Sequence, residues 1–159
     1  KEVQAAFRAR SVKKSYSLIV AERWPKKART IQHRLSRYVT DWGERRVRVD
    51  PQGQLARTDF QIIDTAPKAT LLQATLHTGR THQIRVHTQH QGHSILGDTK
   101  YGMKHATNSG HEIERLCLHA SRLVVPIGKD RLDVSAPMEH TMNKIWTRLK
   151  REGAEPDAT

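Results

Sequence analysis

Gly79-Arg80-Thr81-His82-Gln83-Ile84-Arg85-Val86-His87, running on to Gly92-His93-Ser94-Ile95-Leu96-Gly97-Asp98, is the stretch on which the reading of this chain turns. It sets planar donors and imidazoles beside branched aliphatics, a density of chemistry that surface decoration rarely needs. Its period is helical. Thr81 is a capping residue, Ile84 and Thr88 share a face, and Gly92 stops the run, so a short helix is expected over 81–91.

The flanks of that helix read as strands. Lys14 to Val20 places Tyr16, Leu18 and Val20 on one face, and Arg46-Val47-Arg48-Val49 alternates strictly before Pro51-Gln52-Gly53 turns the chain. Arg57 to Ile63 and Thr70 to Leu76 are β-rich runs parted by Pro67, which predicts two antiparallel strands. Arg122 to Ile127 and Arg131 to Ser135 flank the turn Gly128-Lys129-Asp130. Pro137 then opens a last helix with Met138, Met142, Ile145, Trp146 and Leu149 on one stripe. Residues 23–45 resist assignment: Pro25 and the polar run to Arg29 mark a loop, and Trp42-Gly43 a turn. At the start, Val3, Ala6, Phe7 and Arg10 fall at helical spacing without a cap, which suggests that the natural chain begins earlier. Residues 153–159 are expected to be a disordered tail. Antiparallel strands with helices packed on one side make an α+β architecture, one domain over 1–152.

Composition narrows the partners. The 159 residues carry 28 Lys+Arg against 16 Asp+Glu, a net charge of +12. Residues 1–50 alone hold 14 basic and 5 acidic side chains, in blocks such as Arg8, Arg10, Lys13, Lys14 and Arg23, Lys26, Lys27, Arg29. Scattered lysines are ordinarily a solvated surface, but one-sided blocks fit a phosphate backbone. No apolar run approaches the ~20 residues that span a bilayer, and the charged start lacks the apolar core of a signal peptide. Cys117, the single cysteine, sits between Leu116 and Leu118 as a small buried hydrophobe in a reducing compartment. A cytoplasmic protein that binds nucleic acid follows.

The stretch from Gly79 to Asp98 resembles motif III of the RluA-type pseudouridine synthases, which isomerise uridine in structured RNA. Lys13-Lys14-Ser15-Tyr16 resembles the same family's Lys-x-Tyr motif, and Leu116-Cys117-Leu118-His119-Ala120 a further one that packs apolar bulk against the site. The likeness runs from about Arg10 to Leu149. It implies a mixed, mainly antiparallel sheet with flanking helices, neither cofactor nor metal, and a monomeric enzyme acting on RNA, most closely large-subunit ribosomal RNA. It also implies roles. Arg85 would orient a catalytic aspartate, for which a planar guanidinium fork suits better than lysine. Tyr16 would hold the flipped base and serve in proton transfer. Lys13, Lys14, Arg80, His82, Gln83 and Leu118 would meet the substrate. Without the resemblance, Tyr16 and Leu118 would pass for core and Arg85 for a solvated helix residue.

One family motif does not occur: His-Arg-Leu-Asp followed by Thr-Ser-Gly. His33-Arg34-Leu35 is followed by Ser36 and lies after Tyr16, the wrong side for that motif. The nucleophilic aspartate is therefore expected upstream of Lys1, this chain being the C-terminal portion of a catalytic domain and inactive alone. The rival is a basic RNA-binding module without catalysis, and the sequence ahead of Lys1 separates the two. A metal on His87, His90 and His93 is disfavoured, because i, i+3, i+6 spacing does not keep three ligands on one helical face.

Overall fold

In the computed structural model, residues 12–27, 29–102, 113 and 115–152 are described. The helical reading of residues 1–10 and the expected tail at 153–159 lie outside them. Seven strands are named: β1 (Lys13–Ala21), β2 (Thr30–Val39), β3 (Arg45–Val49), β4 (Gln54–Ala66), β5 (Ala69–Leu76), β6 (Leu118–Ile127) and β7 (Asp130–Ser135). They form one sheet in the order β3-β2-β4-β5-β1-β6-β7, with each named neighbour pair antiparallel. Two helices are described, α1 (Gln83–His90) and α2 (His140–Glu152).

Cross-strand register decides what each face carries, since paired residues project to the same side. Tyr16 pairs with Ala74 and Ala74 with Phe60; one step along the strands, Lys14 pairs with Leu76 and Leu76 with Thr58. Thr58 is hydrogen-bonded to Gln83 and His87 of α1. Tyr16 and α1 therefore occupy one face. A bulge between Ile62 and Asp64 turns Asp64 to the other face, where it pairs with Leu71, itself paired with Ile19. There the Trp146 indole and the Lys150 ammonium of α2 donate to the Asp64 carboxylate, at 3.1 Å each. The helices thus take opposite faces, contrary to the one-sided packing expected. Leu18, Ile19 and Val20 of β1 are all fully buried, as a central strand covered on both sides requires.

Between the layers lies a core of Leu18, Ile19, Val20, Leu72 and Ile95, closed on the α2 side by Met142, Ile145, Trp146 and Leu149. Trp24 belongs to it too, its ring 4.9 Å from Phe60. A smaller cluster of Leu35, Val47, Ala56 and Val86 binds α1 to the β2–β3 edge. The unassigned stretch 23–45 thus contains a ten-residue strand, β2. The side that carries the buried Ile31 and Leu35 also carries the half-buried His33 and the exposed Arg37, so the apolar alternation is broken by a polar residue at every second step.

Helix starts differ from expectation as well. Thr81 does not cap α1; His82 does, with φ 52°, and its side chain makes no cap hydrogen bond. The entry is instead held by Gln83. α2 begins at His140 rather than at Pro137, because the Glu139 carboxylate accepts the N–H groups of Thr141 (3.0 Å) and Met142 (3.1 Å). Gly97, at φ 79°, lies so close to the Arg115 carbonyl that a Cβ would collide with it. That close approach lets the segment after α1 run along β1: Ala21 N–H donates to Ser94, and Leu96 N–H to Ile19.

Candidate active site

The loop Gly79–His82 and α1 are fixed by one amide. The Gln83 Oε1 accepts the Thr78 hydroxyl (2.6 Å) and the Arg80 N–H (3.1 Å), while Nε2 donates to the Arg57 carbonyl and the Thr58 hydroxyl, both at 2.9 Å. All four of its hydrogen-bonding positions are used, and the residue is 2% exposed. Gln83, expected from the sequence to meet the substrate, is placed with its amide turned into the protein, where it positions the loop.

Arg85 lies on α1, half-buried, and forms a two-pronged pair with Asp98: Nε to Oδ2 at 3.0 Å and Nη2 to Oδ1 at 2.8 Å. Its guanidinium also stacks 5.1 Å from the Tyr101 ring. Burial by itself would push the Asp98 carboxyl up. The Arg85 hydrogen bonds, with the N–H groups of Tyr101 and Lys100, outweigh that and hold it below its ordinary value. Arg85 in turn is held above its own, first by the bond to Asp98. Among the described residues the carboxylate paired with Arg85 is Asp98, at the end of the same motif, a residue the sequence reading did not single out. The pair uses the Nε–Nη2 edge, which leaves Nη1 outside it for a second acceptor.

Tyr101 ties this pair to the sheet. Its hydroxyl accepts the Val47 N–H at 2.9 Å and lies 2.7 Å from His82 Nδ1. The proton arrangement that satisfies both has Tyr101 donating to Nδ1, so that His82 carries its proton on Nε2. Burial, then Arg85, lowers the His82 pKa and keeps the ring neutral. Tyr101 was not singled out in the sequence; its only signal was its place three residues after Asp98.

Tyr16 stands on the same face of the sheet, in the wall of a hollow of about 380 Å³ that Ala120, Leu123, Val134 and Ala136 make largely apolar. That volume is within the range of small-ligand sites, about 300–1,000 Å³. Lys14 lines the same hollow, and Lys13 beside it is exposed. Leu118 pairs with Leu18 and packs partly buried against the core, one step along from the Ala120 that pairs with Tyr16. It is not in the lining of the Tyr16 hollow. Arg80 borders a neighbouring hollow with Lys14, its Nε donating to the Leu55 carbonyl at 3.1 Å. The structure therefore gathers Tyr16, Lys14, Arg80 and Arg85 on one face, but the contacts of Arg85 are Asp98 and Tyr101, and those of Tyr16 are the apolar hollow.

The histidines fall differently from the sequence grouping. His93 is drawn away to the Ala21 carbonyl (2.8 Å) and the Trp24 ring. His33 of β2 takes its place beside His87 and His90, with ring centroids 5.9 and 4.6 Å apart respectively. Cys117 is fully buried, and burial pushes its thiol up to about 12, which makes it inert. Of the described helices, none is long and apolar enough to cross a membrane.

Comparison with known proteins bears on the family and the fold. A family model described as RNA pseudouridylate synthase matches residues 1–90. The chain is 36% identical over 154 residues to ribosomal large subunit pseudouridine synthase C of Vibrio vulnificus, covering 94% of this chain and 48% of that protein. It is 39% identical over 148 residues to the Haemophilus influenzae protein of the same name, covering 91% and 46%. The chain thus spans about half the length of the curated relatives it matches. Among solved structures, Human RNA Pseudouridylate Synthase Domain Containing 1 superposes with a TM-score of 0.73 at 22% identity, over 99% of this chain and 72% of that one. Human RNA Pseudouridylate Synthase Domain Containing 4 gives 0.70 at 24%, over 92% and 65%. At those identities the two structures speak to the fold alone.

Proposed function

The chain belongs to the RNA pseudouridylate synthase family, and from that premise we propose that it serves in isomerising uridine to pseudouridine in large-subunit ribosomal RNA. The observation that carries the proposal is the placing of Tyr16, over an apolar hollow, on the same sheet face as an arginine locked in position by Asp98.

The reaction breaks the N1–C1′ glycosidic bond, turns the base and joins C5 to C1′; the proton at C5 leaves and N1 regains one. A stacked uridine cannot be reached, so the base is flipped into a hollow. The Tyr16 ring offers it a stacking surface, and the surrounding Ala120, Leu123 and Val134 give it apolar walls. The reaction needs a carboxylate, and Arg85 is built to hold one: its Nη1 lies outside the Asp98 pair, on a guanidinium already fixed by two hydrogen bonds and a ring. Asp98 itself is fully engaged and 4% exposed, so it orients rather than reacts. Lys13, Lys14, Arg80 and His82 contact the RNA around the target, in a monomeric cytoplasmic protein without cofactor or metal.

Tritium release from RNA carrying 5-tritiated uridine tests the reading. The chain alone and the full natural protein that contains it are given unmodified large-subunit ribosomal RNA. Release from the full protein, lost in Tyr16→Ala, is the expected result. Salt-sensitive RNA binding without any release would instead make it a binding module.

A further inference from the structure

Three hollows on the α1 face share walls. The Tyr16 hollow and a second, of about 240 Å³, have Lys14 in common; the second and a third, of about 360 Å³, have Gly79 and Arg80 in common. The third plays no part in the chemistry above. Its floor is Leu35 and Val47, which are 3% and 5% exposed, and its rim is the turn Gln52–Gln54, Thr81 and Arg37. The rim is held rigidly. Arg34 donates to the Gly53 carbonyl at 3.1 Å, and Gly53 lies so close to the Leu35 carbonyl that any Cβ there would collide with it.

Charge and chemistry fit a nucleotide. Arg37 is exposed on β2, opposite Val47 of β3, and projects to the same side as Leu35. Arg80 is anchored through Nε to the Leu55 carbonyl, which leaves its terminal nitrogens outside that bond. Asp50, the carboxylate beside the Gln52–Gln54 turn, is occupied by the Ser36 hydroxyl (2.8 Å) and the Gln52 N–H (2.9 Å). Two guanidinium groups beside a concave polar turn suit a phosphate and the hydrogen-bonding edge of an unstacked base. From Tyr16 the hollow is three strand spacings across the sheet and six residues along β4, roughly 25 Å on a flat sheet, which is several nucleotides away.

We propose that this hollow is a distal RNA subsite: an unpaired nucleotide flanking the target seats its base against the Gln52–Gln54 turn, with its phosphate between Arg37 and Arg80. The continuous walls through Lys14 and Gly79–Arg80 are the path of the intervening strand. The inference rests on the synthase reading for its RNA but not for its geometry. It makes the β2–β3 hairpin a determinant of which RNA is selected, separate from the reacting centre.

The test is RNA affinity and turnover of the full natural protein with a large-subunit ribosomal RNA fragment, comparing Arg37→Glu with Arg131→Glu. Arg131 is an exposed arginine on β7, at the far edge of the sheet, so both changes alter net charge equally. Arg37→Glu should weaken binding about tenfold near physiological salt, and Arg131→Glu less than twofold. Arg37→Ala should lower the salt slope by about 1, as loss of one phosphate contact does. Turnover at saturating RNA should be unchanged in all three. Equal losses in the two Glu variants, or none in either, would overturn the subsite. Because binding is read without turnover, a protein that needs Arg37 for RNA but never isomerises it would refute the reaction while supporting the subsite.

Discussion

His87 makes the stability of this fold depend on pH in a window where its carboxylates are still silent. The ring is fully buried, with Nδ1 3.0 Å from the Thr58 hydroxyl and Nε2 without a hydrogen-bond partner. Burial first, then the neighbouring His33 and His90, carries its pKa from 6.5 down to about 4. The folded state therefore keeps His87 neutral at a pH where the unfolded chain takes up a proton. The stability it confers is whole above pH 6.5 and is lost as pH falls towards 4. A shift from 6.5 to about 4 amounts to about 3 kcal/mol in the limit, of which about 2 kcal/mol is gone by pH 5. Glu44 and Glu139, pushed from 4.5 down to about 2, begin to matter only below that. His33, also lowered by burial and by His90, adds to the same window. Urea denaturation followed by tryptophan fluorescence at pH 8 and pH 5 measures the slope, since Trp24 and Trp146 are both in the core. His87→Gln should be less stable than the parent at pH 8 yet lose about 2 kcal/mol less on going to pH 5. Parallel losses in parent and variant would refute the reasoning, because they would place the titrating group elsewhere.

Arg85→Lys should abolish tritium release in the full natural protein while changing RNA affinity only a few-fold, because an ammonium cannot reproduce the two-edged guanidinium held by Asp98; turnover near the parent's would remove Arg85 from the mechanism. Gln83→Leu, which strands the Arg57 carbonyl and the Arg80 N–H, should cost roughly 2–4 kcal/mol in denaturant unfolding. Trp146→Ala, at a residue 7% exposed that also hydrogen-bonds Asp64, should cost about 3–5 kcal/mol by the same measurement; a loss below about 1 kcal/mol would mean that α2 is not part of the cooperative core.

Much of the fold was legible where one face of an element is apolar and the other polar. The strands around Val47 and Leu72 and the stripe of α2 follow directly from that alternation. β2 was not, because His33 and Arg37 interrupt its inward side; a histidine can occupy such a position only when a helix brings other rings, here His87 and His90, to meet it. The cap of α1 was misread for a similar reason. Thr81 has the right chemistry, but the four hydrogen bonds of Gln83 fix the turn one residue later and force His82 into a left-handed conformation.

What the sequence by itself determined is which groups are candidates for the site: the spacing that puts an arginine on a short helix, the tyrosine on a β-strand behind two lysines, and an excess of positive charge. Those are properties of neighbouring residues and need no folding to read. What only the tertiary structure decided is which groups meet. Asp98 reaches Arg85 because Gly97 lets the chain pass against the Arg115 carbonyl, and Tyr16 shares a face with α1 because two antiparallel pairings, β1 with β5 and β5 with β4, fix its register with Thr58. Hydrogen-bond partners far apart in sequence are chosen by register and close packing, and neither is written in any local stretch of residues.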